Sequence, residues 1–299
     1  MKTYAPDYYN EFKCIADKCK NSCCIGWEID VDDKTYKKYM SLNSPIGEKL
    51  RNNITNTEPH SFKLRENEKC PFLNENGFCE LILELGEDSL CDICSLHPRF
   101  RNFYNTRTEI GLGLCCEAVV EIVLSKTTPT SLIVIDDDGE TDATDEAEEE
   151  IIELRDNILS LLSDRTCSLD ERVKILLESF ALPDAVLKLS EFQLVFSSLE
   201  YMSPLSKTAF SSLSDEKTLT DIEVEQLLNY FIYRYVANSI DDAEIRAYLA
   251  FALLSISVIS ALAKIMPKPE ACRLYSSEIE YNEDNVEKII DKIYEIIGE

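Results

Sequence analysis

Apolar residues in the second half of the chain recur at i, i+3, i+4 and i+7, the spacing that gathers them on one face of a helix. EIIELRDNILSLLSDR, starting at Glu150, predicts one such helix. SLDERVKILLESF predicts the next. It opens on Ser168 and carries Glu171 three residues later, the signature of a capping box. Pro183, Pro204 and Pro267 punctuate further helices near their starts. A helix around 220–238, an apolar one over 242–265 and an amphipathic one near 283–298 complete a second half that is mostly α and has no internal repeat. The first 125 residues lack this regularity. Short helices at roughly 33–41 and 45–52 interrupt loops there, and a further helix starts near Cys115 and runs through EAVVEIVLS. SLIVI, at 131–135, predicts one short strand.

After that strand comes DDDGETDATDEAEEE, residues 136–150, with ten acidic side chains in fifteen. Charge so dense cannot pack, so the run reads as a loop or linker at a domain seam, its last glutamates favouring the start of the next helix. The expected fold is mainly α: an irregular, cysteine-rich, metal-binding N-terminal region (1–125), a short strand with an acidic linker (126–150), and an all-helical C-terminal domain (151–299). The chain is 45% hydrophobic and 29% charged, a globular composition in which global disorder is not expected.

The net charge of −26 is unevenly spread: −5 over residues 1–125 and −21 over the rest. Such a field repels phosphate backbones and disfavours nucleic acid. It attracts cationic partners, although an acidic surface that merely keeps a protein soluble is the plainer reading. AYLAFALLSISVISALA, residues 247–263, is the most apolar stretch. At 17 residues, with three serines and no aromatic or basic belt, it reads as a buried helix and not a membrane span. The N-terminal MKTYAPDYYNEFK has no apolar run and does not resemble a secretory leader, so a cytoplasmic location is expected. Nothing in the pattern indicates an oligomeric state.

Ten of twelve cysteines lie within the first 116 residues, in four segments. CIADKCKNSCCIGW holds Cys14, Cys19, Cys23 and Cys24; CPFLNENGFC holds Cys70 and Cys79; LCDICSLHPR holds Cys91 and Cys94; LGLCCEA holds Cys115 and Cys116. In a reducing compartment structural disulfides are not expected, and isolated buried cysteines do not cluster so densely. Metal ligation accounts for the clustering. Soft sulfur selects zinc, Cu(I) or an iron–sulfur cluster. Zinc sites show regular paired knuckles, and only one clean C-x-x-C is present here. Irregular spacing, adjacent Cys–Cys pairs and the aromatic neighbours Phe12, Trp27 and Phe72 suit a shielded iron–sulfur cluster better, with zinc the alternative metal and unligated thiols the third reading. The C-x3-C-x2-C signature of radical enzymes is absent, because residue 26 is Gly.

FKCIADKCKNSCCIGWEIDVD, CPFL…GFCELILELGEDSLCDICSLHPRF and LGLCCEA resemble the flagellin lysine-N-methylase family, within the wider group of CxxCxxCC-type cysteine-cluster proteins. A looser similarity extends into LRDNILSLLSDRTCSLDERVKILL and NYFIYRYV. The resemblance implies transfer of methyl groups from S-adenosylmethionine to flagellin lysines, and an iron–sulfur cluster, 4Fe-4S in type. It matches the family pattern at Cys14, Cys19, Cys23, Cys24, Cys70, Cys79, Cys94 and Cys115. Cys91 and Cys116 stand as extras, and Cys167 and Cys272 as ordinary core cysteines. Eight thiols exceed the four one cubane needs, so some serve structure or a second centre exists.

Methylating lysine requires a neutral amine, whose parent ammonium has a pKa near about 10.4, so a base must take its proton. Carboxylates and tyrosines are the candidates: Glu117 matches a family glutamate, or is equally a solvated glutamate at a helix start, and Tyr233 lies on a helix with Asn229, Tyr230, Arg234 and Tyr235. Trp27, the only tryptophan, serves either a cation–π contact in a methyl-transfer pocket or, more simply, shielding of the cluster. Arg99 is placed to hold the S-adenosylmethionine carboxylate, the cluster sulfurs or a structural ion pair. Tyr230 and Arg234, four residues apart, share a helix face that either borders the cofactor pocket or packs in the core. No glycine-rich cofactor loop is visible, so S-adenosylmethionine enters through the resemblance alone. The competing class is a non-catalytic zinc- or Fe–S-binding adaptor or metal carrier.

Overall fold

A computed structural model describes residues 1–139 and 144–298, the side chain of Asn67 excepted. The chain divides into two compact units, one of residues 13–100 and one of residues 1–12 with 101–298.

The 13–100 unit is built from short helices and connecting loops: α1 (Asp33–Met40), α2 (Pro45–Asn53), α3 (Glu80–Leu85) and α4 (Asp92–Leu96). Each of the first two is started by a side chain that satisfies an otherwise unpaired amide. Asp32 accepts from the Thr35 amide, and Ser44 accepts from the Gly47 amide with Pro45 in the first turn. Their apolar faces meet around Ile29, Val31, Tyr39, Ile46, Leu50, Phe62 and Phe72. Cys70 and Cys91 are part of that core, and Cys24, Trp27, Cys79 and Cys94 pack against it. The Tyr39 hydroxyl, buried with its ring, donates to the Ser89 carbonyl at 2.7 Å and so ties α1 to the chain ahead of α4.

The second unit has a four-stranded sheet, β1 (Lys2–Pro6), β2 (Arg99–Phe103), β3 (Thr108–Leu112) and β4 (Leu132–Asp137), in the order β2-β3-β1-β4. The chain crosses from one unit to the other within β2. β1 runs parallel to β3, with Tyr4 opposite Glu109, and antiparallel to β4, with Ala5 opposite Ile133. Among the described residues, nine α-helices follow or interleave: α5 (Glu117–Ser125), α6 (Glu146–Ser163), α7 (Leu169–Ser179), α8 (Gln193–Ser198), α9 (Pro204–Ser211), α10 (Asp221–Tyr235), α11 (Asp242–Leu262), α12 (Lys268–Tyr275) and α13 (Glu283–Ile297). The capping box at Ser168 and Glu171 forms at the head of α7. α11 is the one helix among the described residues long and apolar enough to cross a membrane, and 78% of its most apolar stretch is buried inside the protein.

The structure is 57% helical, so the mainly α expectation holds, and between 151 and 298 the described residues form helices and connecting turns. A small sheet ahead of them joins residues 2–6, 108–112 and 132–137, far apart in sequence, and local periodicity carries no trace of such pairing. Residues 1–125 contribute to both compact units. Residues 101–125, grouped from the sequence with the cysteine loops, supply β3 and α5, and α5 packs on α10 and α12. The acidic run opens in β4 and closes in α6, and its residues 140–143 lie outside the described residues.

α10 is buried along Glu225–Tyr233, polar residues included, so each of these needs a partner. Glu225 receives Arg165 at 2.8 Å and Arg172 at 2.8 Å. Burial alone would raise this carboxyl, yet the two guanidiniums hold it below the usual carboxylate range. A depressed folded pKa stabilises the protein above the unfolded value and loses that contribution as pH falls through the folded one. Between about pH 6 and about pH 3, the denaturation midpoint of the native chain should therefore fall more than that of Glu225→Gln. Equal slopes in chemical denaturation would show that the carboxylate is not so held.

Candidate functional site

The 13–100 unit brings five thiols within electrostatic reach of one another. Cys94 senses Cys91, Cys24 and Cys70; Cys79 senses Cys24 and Cys91; Cys70 senses Cys24 and Cys79. Local backbone contacts place them. The Cys70 amide donates to the Cys24 carbonyl at 2.8 Å, joining the first two cysteine segments. Leu73 and Cys79 pair as an isolated bridge that closes the CPFLNENGFC loop on itself. Cys91 precedes α4, and the Cys94 amide returns to its carbonyl at 3.1 Å. Trp27 packs on the same core, and its indole N–H donates to the Cys23 carbonyl at 2.6 Å.

The thiols differ in acidity for stated reasons. A hydrogen bond with the Cys23 thiol, opposed by burial and helped by Ser22, brings Cys24 down to about 7. A hydrogen bond with Cys94 lowers Cys91, while the same contact, burial and the neighbouring sulfurs raise Cys94. Burial pushes Cys70 up to about 12 and raises Cys79. Several sulfurs crowded in an apolar core cannot all ionise without a cation among them, and a thiolate-bound metal is the group that would supply it. In kind, then, the donor set fits such a group. Among the described residues no three His, Cys, Asp or Glu side chains converge closely enough to hold a single ion. A polynuclear cluster, being larger than one ion, takes its thiolates at wider spacing.

The cysteines assigned to metal from the family pattern divide. Cys24, Cys70, Cys79 and Cys94 belong to the gathering, and so does Cys91, which the pattern sets aside. Cys14 and Cys23 are exposed, Cys19 is half-buried, and the Cys14 sulfur accepts from the Ala16 amide at 3.4 Å. Cys115 belongs to the other unit, where its neighbours are Arg234, Glu280, Tyr281 and Cys116. Burial pushes its thiol up to about 12, with the Tyr281 hydroxyl in hydrogen-bond reach.

That second setting is a polar knot. Glu280, on a π-helical turn after α12, accepts from Tyr230 at 2.9 Å and Tyr235 at 3.1 Å and pairs with Arg234 at 3.1 Å. Arg234 also donates to the Tyr230 hydroxyl at 2.7 Å and lies over the Tyr235 and Tyr281 rings. The anticipated Tyr230–Arg234 face is thus real, and its guanidinium is engaged within the protein. Glu280 itself has no sequence signal, because a single π turn leaves no periodicity. Tyr233, a candidate base, is buried elsewhere on α10, near Glu109 and Arg155. Its hydroxyl donates to the Tyr4 and Ile110 carbonyls at 3.3 and 3.2 Å, and burial raises its pKa well above the ordinary tyrosine value. A group so held braces β1 and β3 and is a poor proton acceptor. Glu117 heads α5 in a half-buried position. Arg99 opens β2 and donates to the Ser95 carbonyl at 3.4 Å.

No protein-family model matches the chain, and no solved structure matches it. Over 133 residues it is 28% identical to proteins named lysine-N-methylase from Salmonella typhimurium and Salmonella choleraesuis. Over 127 residues it is 29% identical to a protein of Salmonella muenchen named flagellar biosynthetic protein FliU. Each match covers 40% of this chain, with 32% of either methylase and 75% of the FliU protein. The chain therefore spans about a third of the length of the curated methylases it matches.

Proposed function

We propose that this chain is a protein-lysine N-methyltransferase that uses S-adenosylmethionine and acts on flagellin in the cytoplasm, with an iron–sulfur cluster held by the gathered thiols of the 13–100 unit. The similarity to the two lysine-N-methylases carries this reading. The thiol gathering supports the cluster through Cys24, Cys70, Cys79, Cys91 and Cys94. When bound, such a cluster supplies iron able to exchange electrons or to ligate an atom at an open position. The chain's own groups must hold a lysine side chain and remove its proton before the nitrogen can attack a sulfonium methyl group. Glu117 is the proton acceptor retained from the sequence, since Tyr233 is locked in its bracing role.

Incubating anaerobically purified chain with flagellin and methyl-labelled S-adenosylmethionine should place label on flagellin lysines. An iron-loaded preparation that transfers none above the enzyme-free control would overturn the proposal. The partial coverage of the methylases favours one competitor, a non-catalytic thiolate-metal adaptor. Stoichiometric zinc in a colourless anaerobic preparation, with no methyl transfer, is its signature.

A further inference from the structure

The 13–100 unit also carries an open groove of about 470 Å³, lined by Asp30, Asp32, Asp33, Glu58, Asp92 and His60 among others. Asp32 is committed to the fold: its two oxygens accept from the Thr35 amide at 2.8 Å and the Asp92 amide at 3.0 Å, fastening two walls together. Asp30, Asp33, Glu58 and Asp92 are exposed, and among the described residues none has a cationic partner within ion-pair distance. Carboxylates alone would be ordinary acidic surface. His60 changes that.

The imidazole of His60 is buried, only 9% exposed, and lies stacked on the Tyr36 ring with centroids 3.6 Å apart. Its Nδ1 is 3.1 Å from the Thr55 carbonyl, an atom that can only accept, so Nδ1 carries the hydrogen. In the neutral ring Nε2 is then an acceptor. It has no hydrogen-bond partner among the described residues, and the residue lines the groove. A fixed acceptor nitrogen in a groove that four carboxylates without cationic partners also line is complementary to a cation rich in N–H donors. A bare metal ion is the poorer fit, because no three of these groups converge on one point. A guanidinium prefers to pair in its plane with one carboxylate, whereas an ammonium is a compact charge that one close acceptor can hold while water takes its other donors and carboxylates act at longer range.

We propose that this groove binds the ε-ammonium group of a lysine side chain, with His60 Nε2 accepting one of its N–H donors and Asp30, Asp33, Glu58 and Asp92 supplying the opposing charge. That the cation is lysine rests on the methyltransferase reading; that the groove receives a cation rests on its own geometry. Asp92 and Ile93, which also line the groove, lie between Cys91 and Cys94, so a bound side chain would be held against the segment that carries two of the gathered thiols.

The chain has only two histidines, so the ring-nitrogen spectrum of histidine-labelled protein is simple to read. Titrating the full chain at about pH 8, where free imidazole is neutral, with Nα-acetyl-lysine methylamide should shift the His60 Nε2 resonance saturably and leave His97 unmoved. The norleucine analogue, which lacks the ammonium, should not do so. The double variant Asp33→Asn, Glu58→Gln alters exposed side chains only and should melt like the native chain, while binding the lysine probe about three- to tenfold more weakly. No shift at His60, an equal shift with norleucine, or unchanged affinity in the double variant would overturn the site. Equal binding of the arginine analogue would overturn the lysine assignment. Lysine binding without methyl transfer to flagellin would leave the groove standing and sink the methyltransferase reading. Methyl transfer with an unaltered KM for flagellin in the double variant would do the reverse.

Discussion

Replacing Glu109 by Gln is expected to destabilise the protein by about 3–5 kcal/mol, the cost of breaking a buried ion pair from one side. Glu109 and Arg155 are both fully buried, and two parallel hydrogen bonds of 2.7 and 2.8 Å join them. Glu109 is contributed by β3 and Arg155 by α6, and Arg107 pairs with the same carboxylate. The Arg155 guanidinium also lies over the Tyr233 ring, 5.2 Å from its centre. Glu109 is the buried carboxylate facing both guanidiniums where sheet meets helix, and Asp156, 43% exposed, adds a contact to Arg155 Nε at 2.7 Å. An amide of the same shape leaves the two guanidiniums with that half-exposed carboxylate alone and turns N–H donors toward N–H donors. Equilibrium unfolding in guanidinium would measure the loss. The double variant Glu109→Met, Arg155→Leu should recover much of it, since removing both partners also removes the desolvation cost. A loss below about 1 kcal/mol for the single change would show that water reaches the pair.

The other large effect concerns the thiols. Ligation energy is folding energy, so Cys70→Ser or Cys94→Ser should cut iron in the anaerobic protein by more than about half and lower its melting temperature in the same step. Cys91→Ser should behave like Cys94→Ser, because the two sulfurs share a hydrogen bond inside the core. The family pattern alone, which leaves Cys91 out, predicts no change. Cys272→Ser, in α12 of the other unit, should leave the iron untouched. Iron analysis and the visible absorption of anaerobic preparations decide the matter. Retained iron in Cys91→Ser, with loss in Cys94→Ser, would restore the pattern's assignment.

What the sequence determined by itself is what depends on near neighbours. α7, α11 and α13 follow from apolar spacing, and the head of α7 follows from the Ser168–Glu171 pair, because hydrogen bonds and side-chain contacts in a helix span three or four residues. The density of cysteines before residue 117 was equally plain. Other features needed the folded chain. Pairing of Lys2–Pro6 with Thr108–Leu112 and Leu132–Asp137 joins segments a hundred or more residues apart in sequence, which no local pattern encodes. The choice of Cys91 over Cys14 for the core depends on which loops close against Phe72 and Leu81, not on spacing along the chain. Tyr233 offered the chemistry of a base in sequence and became a brace once two strand carbonyls met its hydroxyl. His60, unremarked among polar loop residues, acquired a fixed tautomer and an open acceptor only when Thr55 and Tyr36 were brought against it. A side chain's chemical type is set by the sequence. Its protonation, its partners and its access to solvent are set by residues distant along the chain, and these are decided by tertiary packing.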